Sequence, residues 1–269
     1  MQAAANASGK PEGGSAMLRP SAGLLRWRLL SIAIVCGLWE LAGRVPISPA
    51  FPTFAETMAA LFWLLADGSL AKAYMSTLQP LLIGVVISAG IGMLLGVLMG
   101  LSRHVEWFGA PVFIVMQAAP MAALIPLITF VYGIGLTAKT LAVCVLAMPV
   151  IVLNSYKAIR NSNPSLIQMC RSFQGNRAQE IFKVIIPDAS PVIFAGLRLG
   201  VAAGFIGVVL AELLITPTGI GDLITYHRAV AEYAQMYAVI LSIIIFAAVT
   251  VGLLQQAETT FFRPEKKTF

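Results

Sequence analysis

The amino-acid sequence predicts an all-α, polytopic membrane protein with six transmembrane helices, and three observations carry that expectation. Hydrophobic residues make up 58% of the chain and charged residues only 11%, with a mean hydropathy of +0.86, a balance that a water-facing globule does not present. The apolar residues fall into six blocks, most of them long enough to cross a hydrocarbon core about 30 Å thick. The eighteen Lys and Arg residues are also unevenly divided between the alternate loops that these blocks define, as expected of a chain oriented by basic residues held in the cytoplasm. The net charge of +6 and pI near 9.4 therefore belong to topology rather than to nucleic-acid binding.

In chain order, residues 1–24 are rich in Ala, Gly, Ser and Pro and are expected to be disordered. Arg26 and Arg28 precede an apolar run that no convincing small-residue cleavage site follows, so the run is expected to remain as a span rather than be removed as a signal peptide. A membrane domain is expected over residues 25–258 and a basic cytoplasmic tail over 259–269. The first span covers 29–42, with Glu40 at an interface. A short amphipathic segment over 54–65, preceded by Pro49 and Pro52, is too short to cross and is expected outside the membrane or lying on it.

The second span, 78–101, carries Gly84, Ser88, Gly92, Gly96 and Gly100 at four-residue spacing. That places a small-residue face along the helix against which another backbone can approach closely. A polar break over 102–107 follows. The third span, 108–132, holds Pro111, Pro120 and Pro126, each removing a helical donor, so this helix is expected to bend. Gly133 and Gly135 make a turn into the fourth span, 140–156. The fifth span covers 192–215 and contains Arg198 and Glu212, which are too far apart along one helix to pair with each other. Arg198 is expected to snorkel toward an interface. Glu212 is a candidate for the translocation path, with Pro120 and Pro126. After a polar outer segment over 216–234 comes the sixth span, 236–254.

With the N-terminus inside, thirteen basic residues fall in cytoplasmic segments; four, Arg44, Lys72, Lys139 and Arg228, fall outside, and Arg198 lies within a span. Both termini are therefore expected in the cytoplasm, and so is the long polar interval over 161–187. In that interval Asn163-Pro164 reads as a helix start. Leu166, Cys170 and Phe173 share a face with Met169 beside them. Gly175 is expected to break this helix, Asn176 and Gln179 to cap a second short one, and Pro187 to close it.

These residues resemble the cytoplasmic loop of binding-protein-dependent ABC transporter permeases, most closely the nitrate/sulfonate/taurine branch. Gln168 stands where the family has Glu, Cys170 at the second Ala, Arg171 and Ser172 at the common Arg-Ser pair, Gln174 at the usual Gly, and Pro187 at the Pro. AGLRLG, GVVLAELL and TGIGDLI extend the resemblance, which covers about 39–254. It implies the fold of a type I ABC importer permease, usually a homodimer. It also implies separate ATPase subunits that bind the ATP, and a periplasmic or lipid-anchored binding protein that delivers a small anion such as a sulfonate, taurine, nitrate or an organic acid. The loop 157–190, through Leu166, Gln168, Met169, Cys170, Arg171, Phe173, Gln174, Gly175 and Pro187, would be the ATPase-docking element, and the TGIGDLI segment part of an outer gate.

No phosphate-binding loop is present in the sequence, and no nucleophile–base arrangement or carboxylate pair stands out, so the chain reads as a non-enzyme. Cys36, Cys144 and Cys170 lack metal-ligand spacing, and His104 and His227 stand alone, so no metal and no cofactor are expected. Two other classes remain as alternatives. An ion-coupled secondary transporter would need an inverted repeat and buried ion ligands; no repeat is visible, and Glu212 is the one candidate ligand. A non-transporting scaffold would leave the kinked, glycine-rich helices without a purpose.

Overall fold

The structure, a computed structural model, describes residues 22–45, 50–215 and 217–262. The expectations for the N-terminal segment and for the tail beyond Phe262 lie outside those residues. Among them every regular element is helical: α1 (Ala22–Arg44), α2 (Phe54–Ala66), α3 (Ser69–Leu101), α4 (Arg103–Ala118), a 3₁₀ turn (Met121–Leu124) and α5 (Ile125–Tyr132), followed by α6 (Leu136–Arg160), α7 (Pro164–Ser172), α8 (Arg177–Gln179), a π turn (Glu180–Ile185), α9 (Ile186–Leu214), α10 (Ile220–Ala229) and α11 (Tyr233–Phe262).

Among the described residues four helical runs are long and apolar enough to cross a membrane: α3, α6, the continuous run Arg177–Leu214, and α11. A fifth crossing results if α4 and the segment Met121–Tyr132, which meet at 88°, are taken together. α1 is not among those found over the described residues. It is tied down near its end instead, where Trp39 packs against Phe51, Phe54 and Tyr237 and its indole N–H donates to the Pro52 carbonyl at 3.2 Å.

α6 is the axis of the fold. Its branched residues Val143, Ile151, Val152 and Ile159 are buried and enter two glycine-lined faces, one on each side. On α3, a methyl group added to Gly84 would lie 2.6 Å from the Val143 side chain, at Gly96 2.6 Å from the Val152 carbonyl oxygen, and at Gly100 2.5 Å from Ile159. Gly92 faces Ile151, and Ser88 is fully buried on the same face. On α9, Gly196 meets Asn154, Gly200 meets Ile151, Gly204 meets Val143, and a methyl at Gly207 would lie 2.8 Å from the Ala142 carbonyl oxygen. Missing side chains let three backbones come together where no hydrophobic effect pulls helices out of lipid.

At one end of this bundle α2, α10 and the start of α11 form a second core around Leu61, Leu64, Leu70, Ile220 and Val239. α2 begins with a capping box in which Thr53 and Glu56 each bond the other's backbone N–H. At the opposite end Tyr156 donates to Glu106, and Arg160 lies 3.6 Å from the same carboxylate. This joins the start of α4 to the end of α6.

The structure corrects several boundaries. The polar break expected over 102–107 shrinks to Ser102, since α4 begins at Arg103. The third span is a broken helix rather than a bent one, and of its three prolines only Pro120 sits at the break. Pro111 lies inside α4, and Pro126 occupies the first turn of α5, where its missing N–H is not needed. Pro187 does not close a short helix. The π turn shifts the hydrogen-bond register, with Ile186 N–H reaching the Ile181 carbonyl, and Pro187 then falls in the first turn of α9.

Candidate functional site

Two polar constructions stand out against this apolar frame, one at each end. The first is the loop between α6 and α9. Asn163 caps α7, its Oδ1 accepting from Ser165 N–H at 2.9 Å, while its own N–H donates to Asp188 Oδ2 at 2.8 Å. The entry to the loop is thereby tied to the start of α9.

α7 closes with Gly175 N–H on the Cys170 carbonyl and Gln174 N–H on the Arg171 carbonyl, both at 2.9 Å. This paired closure requires a left-handed residue between the helix end and Gly175. That residue is Gln174, with φ 56°, so the expectation that Gly175 makes the turn is corrected by one position. Gly175 is needed for another reason: a methyl there would lie 2.5 Å from Cys170 Sγ and 2.9 Å from the Cys170 carbonyl oxygen. Asn176 and Gln179 then form the anticipated capping box.

A single carboxylate braces the loop. Glu180, buried, accepts from Arg171 Nε at 3.2 Å and Nη2 at 3.1 Å and from Arg177 Nη1. The hydrogen bond to Glu180, with that carboxylate's charge, pushes the Arg171 pKa above its ordinary value, so the guanidinium stays charged. Ile167 turns inward onto the cluster of Ala158, Ile159 and Ile185. Leu166 and Cys170 are half-buried, Gln168 is exposed, and Met169 and Phe173 are 51% and 81% exposed. Two large apolar side chains thus stand clear of the bundle on a braced helix.

The second construction lies at the α10 end and is built on Glu212, whose side chain is fully buried. Lys139 Nζ donates to Glu212 Oε1 at 2.8 Å, and to the Thr218 hydroxyl and carbonyl at 2.8 and 3.0 Å. The Thr77 hydroxyl lies 2.9 Å from both carboxylate oxygens and accepts from Ile220 N–H at 3.0 Å; Gly221 N–H donates to Oε2 at 3.1 Å. One carboxylate therefore binds α3, α6, α9 and the first turn of α10 together, a buried pair with its remaining valences satisfied. The glycines of TGIG make room for it. Gly219 takes φ 95° with its missing side chain directed at the carboxylate, and a methyl at Gly221 would lie 2.5 Å from Glu212 Cβ.

Sequence reasoning picked out Glu212 but missed Lys139 and Thr77. Lys139 was counted in an outer loop, whereas it stands in the first turn of α6 and is buried. The signal available was that Lys139 and Glu212 are opposite charges at the same end of two apolar spans. Arg198 does not snorkel but pairs with Glu258 of α11 at 3.2 Å. Pro120 and Pro126 are not gathered into the Glu212 cluster; Pro120 borders a separate cavity against α6. Among the described residues no group of His, Cys, Asp and Glu could hold a metal ion.

A bundle of long apolar helices, with a braced polar loop at one end and a buried ionic knot at the other, defines an integral membrane protein. Residues 88–258 match the model of the binding-protein-dependent transport system inner membrane component family. The chain belongs to that family, a family of non-catalytic permeases, and is a multi-pass protein of the inner membrane. It is 28% identical to the putative aliphatic sulfonates transport permease protein SsuC of Bacillus subtilis, over 82% of this chain and 80% of that one. With the taurine transport system permease protein TauC of Escherichia coli it shares 26% identity, over 84% of this chain and 87% of that one. In fold it is similar to an inward-facing structure of the MetNI methionine ABC transporter, with a TM-score of 0.58 at 20% identity, covering 75% of this chain and 96% of that one.

Proposed function

We propose that this permease is the membrane subunit of an ATP-driven importer for a small anionic solute of the sulfonate, taurine, nitrate or organic-acid class. In this reading the chain works as a homodimer with six crossings per protomer, α1 supplying one and the α4–α5 pair another. Both termini lie in the cytoplasm. Two ATPase subunits bind the ATP, and a periplasmic or lipid-anchored binding protein selects the solute, which is why solute contacts need not be strong in this chain.

The observation that carries the reading is the loop 157–190. A helix whose apolar residues Met169 and Phe173 project outward, while two arginines and Glu180 hold its base, is a ready protein-binding surface. The basic asymmetry of the sequence supports a cytoplasmic position for that surface, where ATP is. Leu166, Gln168, Cys170, Arg171, Gln174, Gly175 and Pro187 shape or flank it. Expression of the native operon products with a tag on this chain is the test. An ATPase should co-purify, and its hydrolysis in proteoliposomes should rise when solute-loaded binding protein is added. Purification of this chain without any ATPase from native membranes would overturn the reading.

A further inference from the structure

Helices α9 and α11 touch at two levels and part between them. Toward α10 the rings of Phe205 and Phe246 meet with centroids 5.5 Å apart. Toward the α6–α9 loop, Arg198 Nη1 lies 3.2 Å from Glu258 Oε2. Between these contacts stand Val201 and Ala202 of α9 and Ala247 and Val251 of α11, around a cavity of about 150 Å³ whose lining is almost wholly apolar. An apolar cavity of this size stays dry and takes hydrocarbon.

The contact that bounds the cavity on the loop side is incomplete. The Arg198 side chain is only 24% exposed, yet among the described residues it forms an ion pair and no hydrogen bond, although a guanidinium carries five N–H donors. Glu258 Oε2 is buried and accepts no hydrogen bond either, its approach to Nη1 lacking the alignment. Donors so far removed from water call for an acceptor. Helical spacing places the pair beside the cavity. Arg198 precedes Val201 and Ala202 by one turn of α9, and Glu258 follows Val251 by two turns of α11, so both stand on the faces that line it. The pair also lies at headgroup depth: from Tyr233, the first residue of α11, to Glu258 is roughly 37 Å of helix at 1.5 Å per residue, longer than a hydrocarbon core about 30 Å thick.

We infer that α9 and α11 hold one phospholipid of the bilayer, with an acyl chain in the cavity and the phosphate diester accepting hydrogen bonds from Arg198. A guanidinium fork matches two phosphate oxygens at once, and a basic side chain between spans at the interface is a natural seat for a lipid headgroup. Glu258 stands against the same guanidinium and offsets its charge. Recognition therefore runs through the N–H donors rather than through net charge, and an anionic headgroup gains no advantage over a zwitterionic one. The site is independent of the import reading, since it needs only a bilayer around the two helices.

The test places the full chain in vesicles of mixed phosphatidylethanolamine and phosphatidylglycerol, doped with a lipid that bears a photoreactive diazirine in its acyl chain, and reads the adducts by peptide mass spectrometry. Adducts on Val201, Ala202, Ala247 or Val251 are expected at least about fivefold more often with a diazirine phospholipid than with a diacylglycerol of the same tails and no phosphate. Ala247→Leu fills the cavity and leaves the ion pair alone, and should lower phospholipid labelling to the diacylglycerol level. So should Arg198→Met combined with Glu258→Met, which removes both charges and strands neither. Unfolding midpoints are recorded on the same preparations, and either folded variant decides. Equal labelling by the phosphate-free lipid overturns the site, as does labelling that survives a folded variant. A tenfold preference for diazirine phosphatidylglycerol over its ethanolamine counterpart overturns recognition through donors. Absence of adducts in the wild type also overturns the site, and a photoreactive residue at position 251 that crosslinks to a second copy or to residues 263–269 would give the cavity to protein instead.

Discussion

Gln174 and Glu212 show what a single residue contributes. Gln174 holds a left-handed conformation that costs a residue with a Cβ about 1–2 kcal/mol, and it stands at the position where the family resemblance places glycine. Gln174→Gly should raise the thermal unfolding midpoint in detergent, while Gly175→Ala, with its methyl driven against Cys170, should lower it. If both changes destabilise, the left-handed position has been misassigned. For the knot at the other end, Glu212→Gln or Lys139→Met leaves one charge buried without its partner, a loss of about 3–5 kcal/mol in comparable cases. The double variant should recover at least about 1 kcal/mol of the summed loss; strict additivity in unfolding measurements would mean that the two charges do not act as a pair. Glu212 was legible in the sequence because a carboxylate in an apolar run must find a partner. Lys139 was not, because its nearness to Gly133 and Gly135 disguised a helical residue as a loop residue, and only the fold supplies the contact across 73 positions.

Whole helices show a different division between what a sequence displays and what it conceals. The four-residue spacing of Gly84, Ser88, Gly92, Gly96 and Gly100 announced a face for close packing, and Gly196, Gly200 and Gly204 on α9 were open to the same reading. The partner was not legible, since spacing identifies a groove and says nothing about which ridge enters it; here α6 fills both. Gly96→Leu and Gly200→Leu should each cut folded yield, overpacking of this kind costing about 1–3 kcal/mol. Gly90→Leu should leave it unchanged, because nothing lies within 4 Å of a Cβ at Gly90. Equal yields for all three variants would place these faces against lipid. The three prolines of the third span likewise predicted a bend without locating it. The break falls at Pro120, where the preceding Ala119 has swung to extended backbone with ψ 150°, the conformation that proline favours in its predecessor.

For the whole molecule, the all-α, multi-pass character was the most legible property, because apolar length is summed over the chain and survives local errors; the orientation rests on the basic asymmetry of the sequence and has its own test. An impermeant thiol reagent applied outside sealed cells should label Asp67→Cys and not Gln168→Cys, both positions being exposed, and the order should reverse in inverted vesicles. Labelling of Gln168→Cys from outside would invert the assignment. Docking is read at the same scale. Phe173→Ser removes an exposed ring and should leave folding intact, yet burial of such a side chain is worth about 1.5–3 kcal/mol. ATPase association should therefore weaken about ten- to hundredfold, and an unchanged affinity would move the docking surface elsewhere.

The continuity of the helix from Arg177 to Leu214 has a mechanical consequence. Its 38 residues at 1.5 Å each make a rod roughly 57 Å long, with the arginine-braced Glu180 near one tip and the Lys139-bound Glu212 near the other. Along it the regular ladder is interrupted by the π turn at Glu180–Ile185 and by Pro191 inside α9. On the docking proposed above, a displacement of the loop would reach the buried Lys139–Glu212 pair along this one run of helix.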